Sequence, residues 1–221
     1  METILAFIAG SVEAKRFGPN APTCWAIGAG LVTLIQIYGT YKLARAVWSA
    51  KSGRGISLYM LGYWHATVWC FTYYAWTASS VTMLFNALTL GPLYSVAVVG
   101  ILWFGGVRWV GYAKILLPLV AFPLAFMFID TKDVLLLVLM CVGCVFFADQ
   151  AYVLYKEKRV GAFDPRFTFA LLVACVFWFL FALSVHDLAL SIVNPIMFVI
   201  STVTLVAYYR AKRHEEMLGV H

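Results

Sequence analysis

The chain has 221 residues and a formal charge of +6, with 63% hydrophobic and only 12% charged residues and a mean hydropathy of +0.89. A water-soluble domain carries about 25% charged residues and about 45–50% apolar ones. This composition therefore excludes a globule covered by polar surface; the excess apolar area faces lipid.

In chain order, residues 1–10 are too short and lack the basic front of a secretory signal, so insertion is expected to rely on the first spanning helix. The Gly-Pro-Asn-Ala-Pro stretch at 18–22 marks a soluble or interfacial lead-in over 1–23. Crossing the hydrocarbon takes about 20 apolar residues in helix. Seven runs qualify: 24–48, 58–76, 82–104, 110–129, 134–155, 167–185 and 188–209. Links such as 77–80, 105–109 and 130–133 are short and force neighbouring helices antiparallel.

Basic residues alternate between links. Arg45, Lys51 and Arg54 mark the first, Arg108 and Lys114 flank the third, and Lys156, Lys158, Arg159 and Arg166 mark the fifth. Arg210, Lys212 and Arg213 lie in the tail, whereas the other side holds only Lys15, Arg16 and Lys132. The positive-inside rule then puts the N-terminus outside and the C-terminus in the cytosol of a plasma or inner membrane. The same bases read as topology signals and headgroup contacts, not as a nucleic-acid face.

The five cysteines sit in or beside apolar runs, and Cys141-x-x-Cys144 has no second Cys or His pair at ligand spacing. We expect packing cysteines, no disulfide, no metal and no cofactor. The last run has no lysine before Lys212, which excludes a retinal Schiff base. H-E-x-x-H, G-x-S-x-G and carboxylate clusters are absent, so no enzyme is expected.

An internal repeat organises the chain. Lys51-Ser52-Gly53-Arg54-Gly55-Ile56-Ser57 has its counterpart in Lys158-Arg159-Val160-Gly161-Ala162-Phe163-Asp164. The offset that carries Lys51 onto Lys158 recurs further along with little drift. Asn86 pairs with Asn194 at one residue more than that offset, and Trp69 with Trp178 at two more. The chain therefore divides into the lead-in, a three-helix repeat over 24–104, a linker helix within 105–132, a second repeat over 133–210 and a tail over 211–221. The fold class is all-α integral membrane, with two parallel three-helix repeats joined by a linker helix.

These residues resemble the SWEET sugar facilitators within the PQ-loop superfamily. The Lys51–Ser57 stretch matches that family's Lys-Ser-x-x-Gly-x-Ser loop, and Trp178, Asp187 and Asn194 fall where SWEETs have a tryptophan, then Lys-Asp, then Pro-Asn-Gly. The resemblance, over about residues 24–210, implies a 3+1+3 fold that moves a small solute, most simply a sugar, by rocking its two bundles. It implies solute contact at Trp178 and Asn194 and, more loosely, at Trp69 and Asn86. A proton-coupled amino-acid or vitamin-like solute, or a sorting receptor on the same fold, stands as the alternative. The partners expected are a small solute and the bilayer, with homo-oligomerisation left open.

The family's two-residue Pro-Gln motif falls on Lys42-Leu43 and on Asp149-Gln150, so only Gln150 is kept and neither proline is. Pro92 and Pro195 are candidate replacements for the lost hinges. Lys42 and Asp149 occupy equivalent places with opposite charge, and ionisable groups at membrane depth mark function by default. They are expected to face each other across the pathway and, with Gln150, to gate it on the cytosolic side or link it to protons. Thr33, Gln36 and Thr40 make a polar stripe read mainly as interhelical hydrogen bonding. His65, a turn before Trp69, and Tyr73, a turn after it, extend the candidate solute face.

Overall fold

The computed structural model describes residues 2–105, 117, 121–122 and 124–218. All regular structure among them is helical. Two short helices, α1 (Glu2–Gly10) and α2 (Val12–Lys15), form the lead-in. Six long ones follow: α3 (Ala21–Ala50), α4 (Leu58–Thr77), α5 (Val81–Phe104), α6 (Lys132–Glu157), α7 (Pro165–Val185) and α8 (Leu188–Met217). All but α4 of these six are long and apolar enough to cross a membrane by length and composition. The linker helix expected over 110–129 lies largely outside the described residues, and helical backbone is described at 121–122 and 124–128.

Local sequence sets the ends. Asn20, Ser57, Ser80, Asp164 and Asp187 each accept a backbone N–H from the first turn they precede, satisfying donors that no earlier carbonyl can reach. Both α3 and α6 end on a lysine in the left-handed region, Lys51 at φ 46° and Lys158 at φ 51°. The N-caps Ser57 and Asp164 that open the following helices are separated by the same offset as these two lysines. The repeat is thus written into backbone conformation as well as into residue types.

The two repeats share one packing order. In the first, α5 packs against both α3 and α4; in the second, α8 packs against both α6 and α7. Between repeats, α3 packs on α7 and α4 on α6. The result is a closed ring of six helices in the order α3, α5, α4, α6, α8, α7. Exposed Leu31, Leu34, Val99, Val145, Val199 and Val203 lie on its outer surface, where lipid is the solvent.

Candidate functional site

The ring encloses a central cavity of about 60 Å³. Gln36 and Asn86 enter it from the first repeat, Trp178 and Asn194 from the second, and Trp64, Phe71, Val68, Leu90, Met140 and Met197 supply apolar wall. Two of its three amides, Gln36 and Asn86, belong to an ordered network. The Thr33 hydroxyl donates to the Ala29 carbonyl at 2.8 Å, which leaves its oxygen free to accept. Asn86 Nδ2 donates to that oxygen at 3.0 Å and to Gln36 Oε1 at 2.8 Å. Trp178 Nε1 reaches the same Gln36 oxygen from the opposite repeat at 3.4 Å. Asn194 Nδ2 donates to the Leu190 carbonyl at 2.7 Å.

A main-chain carbonyl fixes every orientation in this chain of bonds, because it can only accept and an indole N–H can only donate. Asn86 must turn its nitrogen to Thr33, and Gln36 must turn its oxygen to Asn86 and Trp178. Asn86 Oδ1, Asn194 Oδ1 and Gln36 Nε2 are the amide atoms left over for a solute. The lining carries no charged side chain.

Of the residues expected to contact solute, Trp178, Asn194 and Asn86 line this cavity. Trp69, His65 and Tyr73 lie elsewhere. Trp69 Nε1 donates to His65 Nε2 at 3.0 Å, and the same His65 nitrogen lies 2.8 Å from the Ser95 hydroxyl, in the seam between α4 and α5. Tyr73 faces Phe126 edge-on at 6.3 Å, with Lys132 Nζ 5.5 Å over its ring. The aromatic of the first repeat that meets Trp178 is Phe71, edge-to-face at 6.2 Å. The offset that the helix caps keep, Lys51 to Lys158, carries Phe71 onto Trp178, whereas Trp69 falls two residues short of it. A slip of two residues turns a side chain by about 200° around a helix of 3.6 residues per turn. Trp64 and Thr67 also line the cavity, sharing one helix face with Val68 and Phe71 that the reading centred on His65, Trp69 and Tyr73 misses.

At one end of the bundle the two repeat loops meet. Gly55 (φ +79°) and Gly161 (φ +53°) face each other's strands of loop, and a Cβ on either would drive into the Val160 or the Arg54 carbonyl. Ala162 N–H donates to the Arg54 carbonyl at 2.8 Å, so the loops also bond. Fully buried Gln150 clamps the contact from α6: its Nε2 donates to the Gly55 carbonyl and its Oε1 accepts from Ser57 N–H, both at 2.7 Å. Asp149 accepts from the Ser57 hydroxyl at 2.5 Å. The expected Lys42–Asp149 pair is not formed, since Lys42 Nζ instead lies 5.3 Å over the Tyr38 ring. The ring order explains this: α3 packs on α5 and α7, while α6 packs on α4 and α8.

The opposite end carries Tyr74, Asp133 and Asp187, from α4, the start of α6 and the start of α8. The Tyr74 hydroxyl lies 2.9 Å from Asp133 Oδ1 and 3.0 Å from Asp187 Oδ2. Burial raises the pKa of Asp187, which sits in the link between two spans, and Asp133 adds to the rise while the Leu190 N–H and the Tyr74 hydroxyl oppose it. The lead-in docks at this end. Glu13 accepts from the Ser80 hydroxyl at 2.5 Å and from Val81 and Thr82 N–H at 3.1 Å each, capping α5 from far back in the chain. Arg16 reaches the Ser184 carbonyl of the other repeat at 3.4 Å.

Residues 134–216 match the family model MtN3_slv, described as the sugar efflux transporter for intercellular exchange. That segment is similar to a repeat of that family. It spans α6, α7 and most of α8, and so contains Gln150, Trp178, Asp187 and Asn194. No curated protein matches the chain. Among the described residues the chain is all-helical, and five of its helices are long and apolar enough to cross a membrane, as a multi-pass membrane protein requires. The described Cys141 and Cys144 are free thiols, as are Cys24, Cys70 and Cys175.

Proposed function

We propose that the protein carries a neutral, hydroxyl-rich solute of sugar type across the membrane by alternating access between its two three-helix bundles. The observation that carries this reading is the uncharged amide-and-aromatic cavity at the junction of the repeats. Two amide oxygens and one amide nitrogen suit hydroxyl groups, each of which both donates and accepts. The Trp178, Trp64 and Phe71 rings offer flat faces to a ring's C–H groups.

An amino acid would bring a carboxylate and an ammonium into a lining with no opposite charge, at large desolvation cost. A peptide-tail receptor would need a basic cluster there, and the lining has none. Ligand pockets commonly measure about 300–1,000 Å³, so a cavity of about 60 Å³ suits a constricted state that widens as the bundles part. The Gly55–Gly161 loop contact, with Gln150 and Asp149 behind it, then acts as one gate and Tyr74–Asp133–Asp187 as the other. Lys51, Arg54, Lys158 and Arg159 at the first gate favour its placement in the cytosol, with Glu13, Asp130, Asp133 and Asp187 outside.

Uptake into proteoliposomes of radiolabelled hexoses, disaccharides, amino acids and nucleosides, with and without a pH gradient, tests the reading. Saturable sugar flux is expected, reduced at least tenfold in Asn194→Ala and Trp178→Ala. Absence of saturable flux for every solute, from protein that is folded and inserted, would sink it.

A further inference from the structure

We propose that Gln36 selects the solute, by taking one solute hydroxyl into the bond that it now makes to Trp178. This rests on the transport reading above and deepens it. Gln36 enters the cavity from α3 and is 8% exposed. In the register of the helix caps its counterpart is Gly143, which has no side chain and lies against Tyr63 of α4. The cavity is thus pseudo-symmetric in its helices and one-sided in this amide.

Two features make Gln36 a solute contact as well as a brace. Its bond to Trp178 is the one hydrogen bond among the described residues that crosses the cavity between repeats, and any parting of the bundles there must break it. At 3.4 Å it is also long for an N–H···O bond, whose usual distance is about 2.9–3.0 Å. By contrast, the bond from Asn86 within the first repeat is 2.8 Å. A hydroxyl entering between the two can accept from Trp178 Nε1 and donate to Gln36 Oε1, so that neither buried group is left unpaired. A C–H at the same place can do neither. Gln36 Nε2, whose orientation the Thr33–Asn86 bonds fix, then remains to donate to a second oxygen of the solute.

The test pairs a solute change with a residue change in proteoliposomes. Uptake of glucose, galactose, fructose and sucrose is measured first, and then uptake of each monodeoxy analogue of the best hexose. In the wild type, removal of one particular hydroxyl should lower kcat/KM about tenfold, the loss of one hydrogen bond. In Gln36→Met, which keeps length without the amide, the parent hexose should fall toward its deoxy analogue and the gap between them should shrink to under twofold. Gln36→Leu gives the same comparison if the Met variant does not insert. A gap that persists in a folded variant assigns Gln36 to bracing alone and overturns this inference while leaving the transport reading intact. Failure of the wild type to take up any sugar overturns both.

Discussion

Replacing Gly161 with alanine should pry open the gate formed by the repeat loops. Two separate costs follow from the geometry. At φ +53° an L residue is strained by about 1–2 kcal/mol, in whichever state the loop keeps this conformation. The new Cβ would also drive into the Arg54 carbonyl, which can move only by carrying its loop away and stretching the Ala162–Arg54 bond. Loss of that bond alone costs about 1 kcal/mol of the closed state, and relief of the overlap adds to it. A shift of about 1–2 kcal/mol toward opening multiplies the open population about 5- to 30-fold. Cys175 lines the cavity and is buried, so it reports this directly. Labelling of Cys175 by a membrane-impermeant maleimide from the Lys51–Lys158 side, read by peptide mass spectrometry, should accelerate by about that factor. Gly55→Ala should do the same, and the double variant should be less than additive, because loops already parted impose only the backbone strain of the second alanine. Labelling within twofold of wild type, together with additive losses of stability, would refute the interlock.

Two further outcomes follow. The Tyr74 hydroxyl has one hydrogen for two carboxylates, and burial raises the pKa of Asp187, so the shut outer gate favours the protonated acid. That preference is present in full below the ordinary aspartate pKa of about 3.9 and is lost as pH rises toward the raised value of Asp187. Cys175 labelling from the Glu13 side, divided at each pH by the labelling rate of a small free thiol to remove the pH dependence of the thiolate itself, should therefore rise with pH in the wild type and be flat in Asp187→Asn, with Tyr74→Phe open throughout. Separately, Glu13→Ala should lower stability by about 1–3 kcal/mol by stripping the cap of α5, and Glu13→Gln should recover part of the loss, both read as a thermal midpoint in detergent.

Five of the seven spans and the offset between the two repeat loops were legible because hydropathy, cap residues and chain-local spacing are properties of short windows. The Lys51 and Lys158 loops resemble each other residue by residue, and both lysines are left-handed helix caps. What the windows lacked was rotation about each helix axis. Trp69 and Phe71 are equally aromatic, and only the cap register separates them. The stripe of Thr33, Gln36 and Thr40 points to hydrogen bonding, but the partner of Gln36 across the cavity, Trp178, lies 142 positions away. The Glu13 cap was invisible for the same reason, its targets having no local relation to the lead-in. Lys42 and Asp149 occupy matching places in the repeat, yet equivalence under a pseudo-two-fold does not imply adjacency. In this ring the first helix of each repeat packs on the second helix of the other.

That ring order also sets the sequence of events during synthesis. Chain growth delivers α3 first, yet its neighbour across the repeat boundary is α7, made only after the whole of the first repeat and the linker. Until α7 inserts, one flank of α3 lacks its neighbour and Gln36 has no indole to meet. The first repeat therefore waits in the membrane as an unfinished arc, held by contacts of α5 with α3 and α4. Such long-range closures are slow, and the half-made state is the one most open to wrong pairing and quality control. A chain arrested before Trp178 leaves the membrane with an amide-lined groove where the finished protein has a cavity.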